Sequence, residues 1–262
     1  MTPVKATSHT DTTTLARAAL LALAVLLLLA VQWAPQAVPG SATAEAFVRD
    51  RLLRVMATAT PVRGAVVVDI DEASIAALGP WPWPRGRLAD LAEQALADGA
   101  ERVVFDMVLP EPAPDDAHGD DRLASLAASG RLVLAQAFDF ADRDAPLAGG
   151  VATGALAAGT AGGVAARATG VLGNHAALGS ARCVGNIGFV PDRDGVLRRL
   201  PLVTSWQGQD YPGLALAALL CGGDGASQAG AAWLAALPRD AAGFWHLPFR
   251  HQVESFTAVS FA

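Results

Sequence analysis

Lysine is almost missing from this chain: Lys5 is its single example in 262 residues, and scattered arginines carry the rest of the positive charge against a formal net charge of −6. Gripping a phosphate backbone needs a clustered cationic face, so nucleic acid is excluded as a partner. Cysteine is scarce as well. Cys183 and Cys221 are too few for a disulfide framework, and Cys221 sits among apolar residues, so two separately buried thiols and one bridge both stay open. The five histidines show no H-E-x-x-H spacing, and neither a G-x-S-x-G nor a P-loop string occurs. The usual signatures of zinc peptidases, serine hydrolases and nucleotide hydrolases are therefore lacking, and no motif calls for a cofactor.

What is present begins with an apolar run. Leu15 to Val31 is broken only by Arg17. Its unbroken part is shorter than the roughly 20 residues that cross a hydrocarbon core, but Arg17 can snorkel and Trp33 can sit at the far interface. The small-residue site Ala42-Thr43-Ala44 lies too far along for normal signal-peptide cleavage. The expected plan is a cytoplasmic tail over 1–14, a transmembrane signal anchor over 15–34 and a domain outside the cytoplasm, with a cleaved signal peptide as the rival. Lys5 and Arg17 set that orientation.

Val48, Leu52, Val55 and Met56 then recur at helical spacing opposite Glu45, Arg49, Asp50 and Arg54, which predicts a juxtamembrane helix within 41–60. Beyond Pro61 come two short β-branched strands, Ala65–Val68 and Arg102–Phe105, each followed by an aspartate, Asp69 and Asp106. A helix near Glu72–Leu78 and a second carrying Leu88, Leu91, Ala92, Ala95 and Leu96, capped by Gly99, lie between them, as in a right-handed βαβ crossover. Ligands bind beyond the C-terminal ends of parallel strands, so Asp69, Asp71 and Asp106 are expected on one rim. A helix at 123–128 and a third parallel strand at 132–137 follow. Residues 146–173, rich in Gly and Ala, read as a poorly ordered loop. A hairpin is expected from 185–190 and 196–203 around Asp194-Gly195, then a turn at 207–210, a helix opened by Pro212 and a strand at 244–247.

Three constellations could carry chemistry. VVVDID resembles the nucleophile strand of haloacid-dehalogenase-type Mg²⁺ phosphatases, with Asp69 attacking and Asp71 as general acid, but the lysine such sites use to clamp phosphate is missing after Lys5. In WPWPR each proline fixes φ and restricts the tryptophan before it, so Trp81 and Trp83 are held with little entropy left to lose. Arg85 follows, placed to pair with Asp69, Asp71 or Asp106; the plain account is a rigid lid clamped by one ion pair, and the sharper one a ligand held between indole and guanidinium. The acidic loop with Asp115, Asp116, His118, Asp120 and Asp121 matches no Ca²⁺ loop and reads as solvated. PDRDG, Pro191 to Gly195, reads as a turn.

The strings VVVDIDEASIAALGPWPWPR, VVFDMVLPEP and GNIGFVPDRDGVLRRLPL, within Arg63 to Leu220, resemble the second CHASE family of cyclase- and histidine-kinase-associated extracellular sensory domains. The resemblance implies a non-catalytic, membrane-anchored periplasmic or extracellular input module of unknown small-molecule or protein signal. Its output would be a cyclase, kinase or diguanylate cyclase on a longer chain or a partner, and homodimerisation is compatible with it. The expected fold is α/β: an N-terminal transmembrane helix, then a mostly parallel mixed sheet flanked by helices, with a sensor domain over 63–262 that is incomplete at its C-terminal end by comparison with the family. Asp69, Asp71, Ser74, Trp81, Trp83, Arg85 and Asp106 are its expected ligand-binding residues.

Overall fold

The computed structural model describes residues 22–23, 25–26, 41–221 and 234–261. The expected span over 15–34 lies almost wholly outside them; among the described residues no helix is long and apolar enough to cross a membrane. The chain divides into two compact units, one of Met1–Ala65 with Pro248–Thr257 and one of Val66–Leu247 with Ala258–Ala262.

The first unit holds α1 (Ser41–Met56), with Phe47, Val48, Leu52, Val55 and Met56 all exposed. It also holds a clasp in which Thr58 N donates to Arg250 O, Gln252 N donates to Thr58 O and Val62 N donates to Ser255 O.

The second unit is mixed α/β. In chain order it contains β1 (Val66–Asp69), α2 (Glu72–Leu78), α3 (Arg85–Ala97), β2 (Val103–Val104), α4 (Ala117–Ser129), β3 (Leu132–Asp139), β4 (Ala148–Gly149), β5 (Ala166–Arg167), β6 (Gly170–Leu172), β7 (Val184–Asn186), β8 (Arg199–Pro201), β9 (Val203–Trp206), β10 (Gln209–Pro212), α5 (Leu214–Leu220), β11 (Phe244–His246) and β12 (Thr257–Ser260). Among the described residues the strands form four sheets rather than one. β3 is the hub of the largest: β2 and β7 run parallel to it, β6 antiparallel, and β4 parallel to β6.

Side-chain alternation along β3 explains its place. Leu132 and Leu134 point to one side and pack with Leu88, Ala89 and Ala92 of α3, Leu123 and Ala127 of α4, Phe105 and Leu109. Val133 points to the other and meets Ala217 and Cys221. A strand covered on both faces reads as a continuous apolar run, as LVLA does here. Buried amides close what the ladders leave open. Asn174 Oδ1 accepts from Leu109 N and its Nδ2 donates to Ala135 O, while Gln136 exchanges two hydrogen bonds with the Thr153 backbone. Asn186 Oδ1 accepts from Phe138 N and its Nδ2 donates to Thr204 Oγ1.

Three expectations differ from this picture. β1 is not a neighbour of β2: its ladder is taken by β12, with Phe261 N donating to Asp69 O at 2.9 Å. The 146–173 tract is not a shapeless loop, since it supplies β4, β5 and β6; its glycines let two backbones approach more closely than a Cβ permits, as where Gly150 lies against Gly173 O and Gly173 against Val151 O. The hairpin around Asp194-Gly195 does not form. β7 joins β3 and β8 joins β11, because Arg198 folds the intervening loop onto itself through Asp192 and Asp194.

Cys183 and Cys221, left open above, form a disulfide with Cα atoms 5.8 Å apart, tying the segment before β7 to the end of α5 across a separation of 38 residues. Closing a loop of that size removes on the order of 3–4 kcal/mol of unfolded-state freedom in the chain-entropy picture. Reduction is therefore expected to lower unfolding free energy by about that amount in urea titrations with and without dithiothreitol; coincident curves would contradict the bridge.

Candidate functional site

Five of the seven expected site residues fall into two groups, each organised by an aspartate. In the first, Asp71 sits at the N-cap of α2 with extended backbone, and its Oδ1 accepts from Ser74 N at 2.8 Å, Ser74 Oγ at 2.7 Å and Ser260 Oγ at 2.9 Å. The DxDxxS spacing is thus an N-cap whose second hydroxyl comes from the end of β12. Those donors, the Ser74 amide first, then the Ser74 and Ser260 hydroxyls, hold the Asp71 carboxyl below the usual carboxylate range. Ser74 is fully buried, whereas the Asp69 and Asp106 side chains are exposed.

The second group gathers around WPWPR. Trp83 is buried, donates Nε1 to Gly79 O at 2.8 Å, lies 4.6 Å from the Phe261 ring and carries the Arg87 guanidinium 5.6 Å over its face. Trp81, on the far side of a cis peptide bond to Pro82, stays 41% exposed and meets Trp83 edge-on. Arg85 opens α3, and it reaches none of Asp69, Asp71 or Asp106. Its Nε lies 3.4 Å from Asp120 Oδ1, and its Nη2 donates to Glu111 O. His175 Nε2 approaches the same Asp120 oxygen, also at 3.4 Å. These three atoms are shut off from solvent and make no hydrogen bond. The other Asp120 oxygen accepts from Ala113 N at 2.7 Å.

One turn earlier, Asp116 does double duty. Its Oδ1 accepts from Gly119 N, capping α4, and its Oδ2 accepts from Gly86 N at 2.6 Å, capping α3, whose own N-cap residue Pro84 has no side-chain acceptor. The two helix starts touch because position 119 is glycine: a Cβ there would collide with the Gly86 amide and the Arg85 backbone. The loop read as solvated is therefore the clamp on the turn, although Asp115, His118 and Asp121 of the same stretch are exposed. Among the described residues no three His, Cys, Asp or Glu side chains are grouped as metal ligands.

His175 and Asn174 went unnoticed in the sequence. The available signal was a polar pair one residue after the apolar stretch Val171-Leu172, just past the 146–173 tract read as a loop. The pair brackets Leu109, whose N–H goes to Asn174 Oδ1 and whose C=O accepts from His175 N.

The PDRDG loop is a third polar knot. Arg198, nearly fully buried, pairs with Asp192 at 2.9 Å and with Asp194 at 2.7 Å. Arg198, then the Val196 amide, pull the Asp194 carboxyl down to about 2. Such a depressed group favours the folded chain above the ordinary carboxylate range and stops doing so as pH falls through about 2.

The first string that carried the resemblance thus becomes an N-cap and a clamped turn, the second supplies β2 and the Leu109 and Glu111 backbone groups that meet Asn174 and Arg85, and the third holds a closed loop; the profile of the CHASE2 domain matches residues 20–262. The chain belongs to the CHASE2 family. That is a family of extracellular sensory domains. No curated protein and no solved structure was found to match the chain. In this CHASE2 domain the Arg85–Asp120–His175 contact offers no open reacting atom; it is a charge lock within the fold. Removing one member of a buried pair leaves the other uncompensated, which costs about 3–5 kcal/mol. Asp120→Ala should lose about that much unfolding free energy in chemical denaturation, and a loss below about 1 kcal/mol would show that the lock carries little.

Proposed function

We propose that this chain is the extracytoplasmic signal-input part of a membrane-bound receptor, held by a signal anchor at 15–34, and that it binds its signal without chemical turnover. Membership of an extracellular sensory family is the observation that carries this reading. The apolar run at 15–34 supports the anchor, and the Cys183–Cys221 bridge suits an oxidising compartment. The donors around Asp71 lower its carboxyl below the usual carboxylate range, which favours binding over phosphatase chemistry, because a general acid needs a proton to give.

Within the proposed ligand site of Asp69, Asp71, Ser74, Trp81, Trp83, Arg85 and Asp106, the parts are unequal. Asp69, Trp81 and Asp106 present side chains to solvent and are the ones to touch a signal. Asp71, Ser74, Trp83 and Arg85 are engaged within the protein and keep the surface in shape. A signal acts only if its affinity differs between two arrangements of the domain. The helix at 41–60, lying in sequence between span and sensor, is the natural conveyor to a cyclase, kinase or diguanylate cyclase output.

Alkaline phosphatase, which folds only in an oxidising compartment, reports the topology when fused after Ala262 in a bacterial host. The fusion should be active and remain in the membrane pellet after a high-salt wash. An inactive fusion recovered from the soluble cytoplasmic fraction would overturn the proposal.

A further inference from the structure

A cleft away from the WPWPR turn has the makings of a ligand site. It occupies about 540 Å³ and is lined by Arg167, Ala168, Ser205, Trp206 and the Gln207–Gly208 turn, with Ala165 beside them. The volume is within the range that admits a small organic molecule.

Strand register puts the polar groups together. β5 runs parallel to β9 with Ala166 opposite Thr204 and Arg167 opposite Ser205. Ala166 and Thr204 are fully buried, so the next residues, Arg167 and Ser205, share the opposite face on neighbouring strands about 4.8 Å apart. Trp206 is anchored from behind, packing on the cluster of Phe138, Ala168 and Tyr211. Gln207 and Gly208 both have positive φ, 49° and 79°, and make the tight reversal from β9 to β10 that closes one end.

The charge balance selects the guest. Although the chain is net acidic, the lining carries one cation and no carboxylate. Arg167 is exposed, and among the described residues no ion pair or hydrogen bond engages its guanidinium. A guanidinium fork beside a hydroxyl suits a carboxylate, and an indole held on a core cluster suits a flat apolar body. We infer that this cleft binds a small organic carboxylate with a planar apolar portion, its acid group on Arg167 and Ser205 and its body against Trp206. As the entry point of a signal, the cleft rests on the sensory reading above; as a binding site it stands without it.

Isothermal titration calorimetry on the full 262-residue chain in detergent micelles tests this with benzoate as the probe. Benzamide serves as its uncharged isostere and inorganic phosphate as a bare anion. Benzoate should bind with a millimolar or tighter Kd, and benzamide and phosphate at least tenfold more weakly. Arg167→Gln should weaken benzoate at least tenfold, Arg167→Lys less so, and Trp206→Phe severalfold, all with unchanged far-ultraviolet circular dichroism. No benzoate binding, benzamide or phosphate binding equally well, or indifference to Arg167→Gln would each overturn the assignment. Because the titration reads binding alone, such a result leaves the topology and sensory role to the fusion experiment.

Discussion

Asp116 and Asp120, one helical turn apart, hold the WPWPR turn in place, and much of the second unit is arranged around that attachment. Proline before α3 fixes the approach of the chain but leaves the helix without a side-chain cap, so an acceptor must come from elsewhere. Asp116 supplies it while capping its own helix, and Asp120 brings a negative charge to Arg85 in the next position. Both need the close approach that Gly119 allows. The outcome is two helices whose first turns are locked together, with their apolar faces delivered to Leu132 and Leu134 of β3.

This lock is polar and largely buried. A buried ion pair is weak as a source of net stability, because desolvation offsets most of the Coulomb attraction. What such a pair does supply is a penalty for any arrangement that separates its members. His175 joins it from the segment after β6, held by the backbone of Leu109, so the turn, the acidic loop and that segment form one polar connection.

Much of the fold was legible in local chemistry. Asp71 and Gly79 bracket α2 where capping rules put its ends, and Leu88, Ala92 and Leu96 marked the inner face of α3. The run Leu132 to Ala137 marked a strand, and the structure shows it covered on both sides. Pairing was less visible, because a short valine strand such as β1 carries no mark of its partner, and that partner, β12, lies almost two hundred residues away. The candidate site divided along the same line. The sequence offered Arg85 three aspartates near strand ends, and the structure chose Asp120, whose position depends on helix packing rather than on any motif. The glycine-rich tract misled because composition reports missing side chains, while the function of glycine at Gly150 and Gly173 is to let backbones meet.

Amide hydrogen exchange at Gly86 probes the central attachment at a single atom. This N–H lies in the first turn of α3, where it has no intrahelical acceptor, and its recorded partner is the Asp116 carboxylate. The account predicts slow exchange of Gly86 in the native chain and a rise of tenfold or more in Asp116→Ala, with amides in the middle of β3 still protected. Fast exchange at Gly86 in the native chain, or a rate indifferent to Asp116, would mean that the acidic loop does not hold the turn.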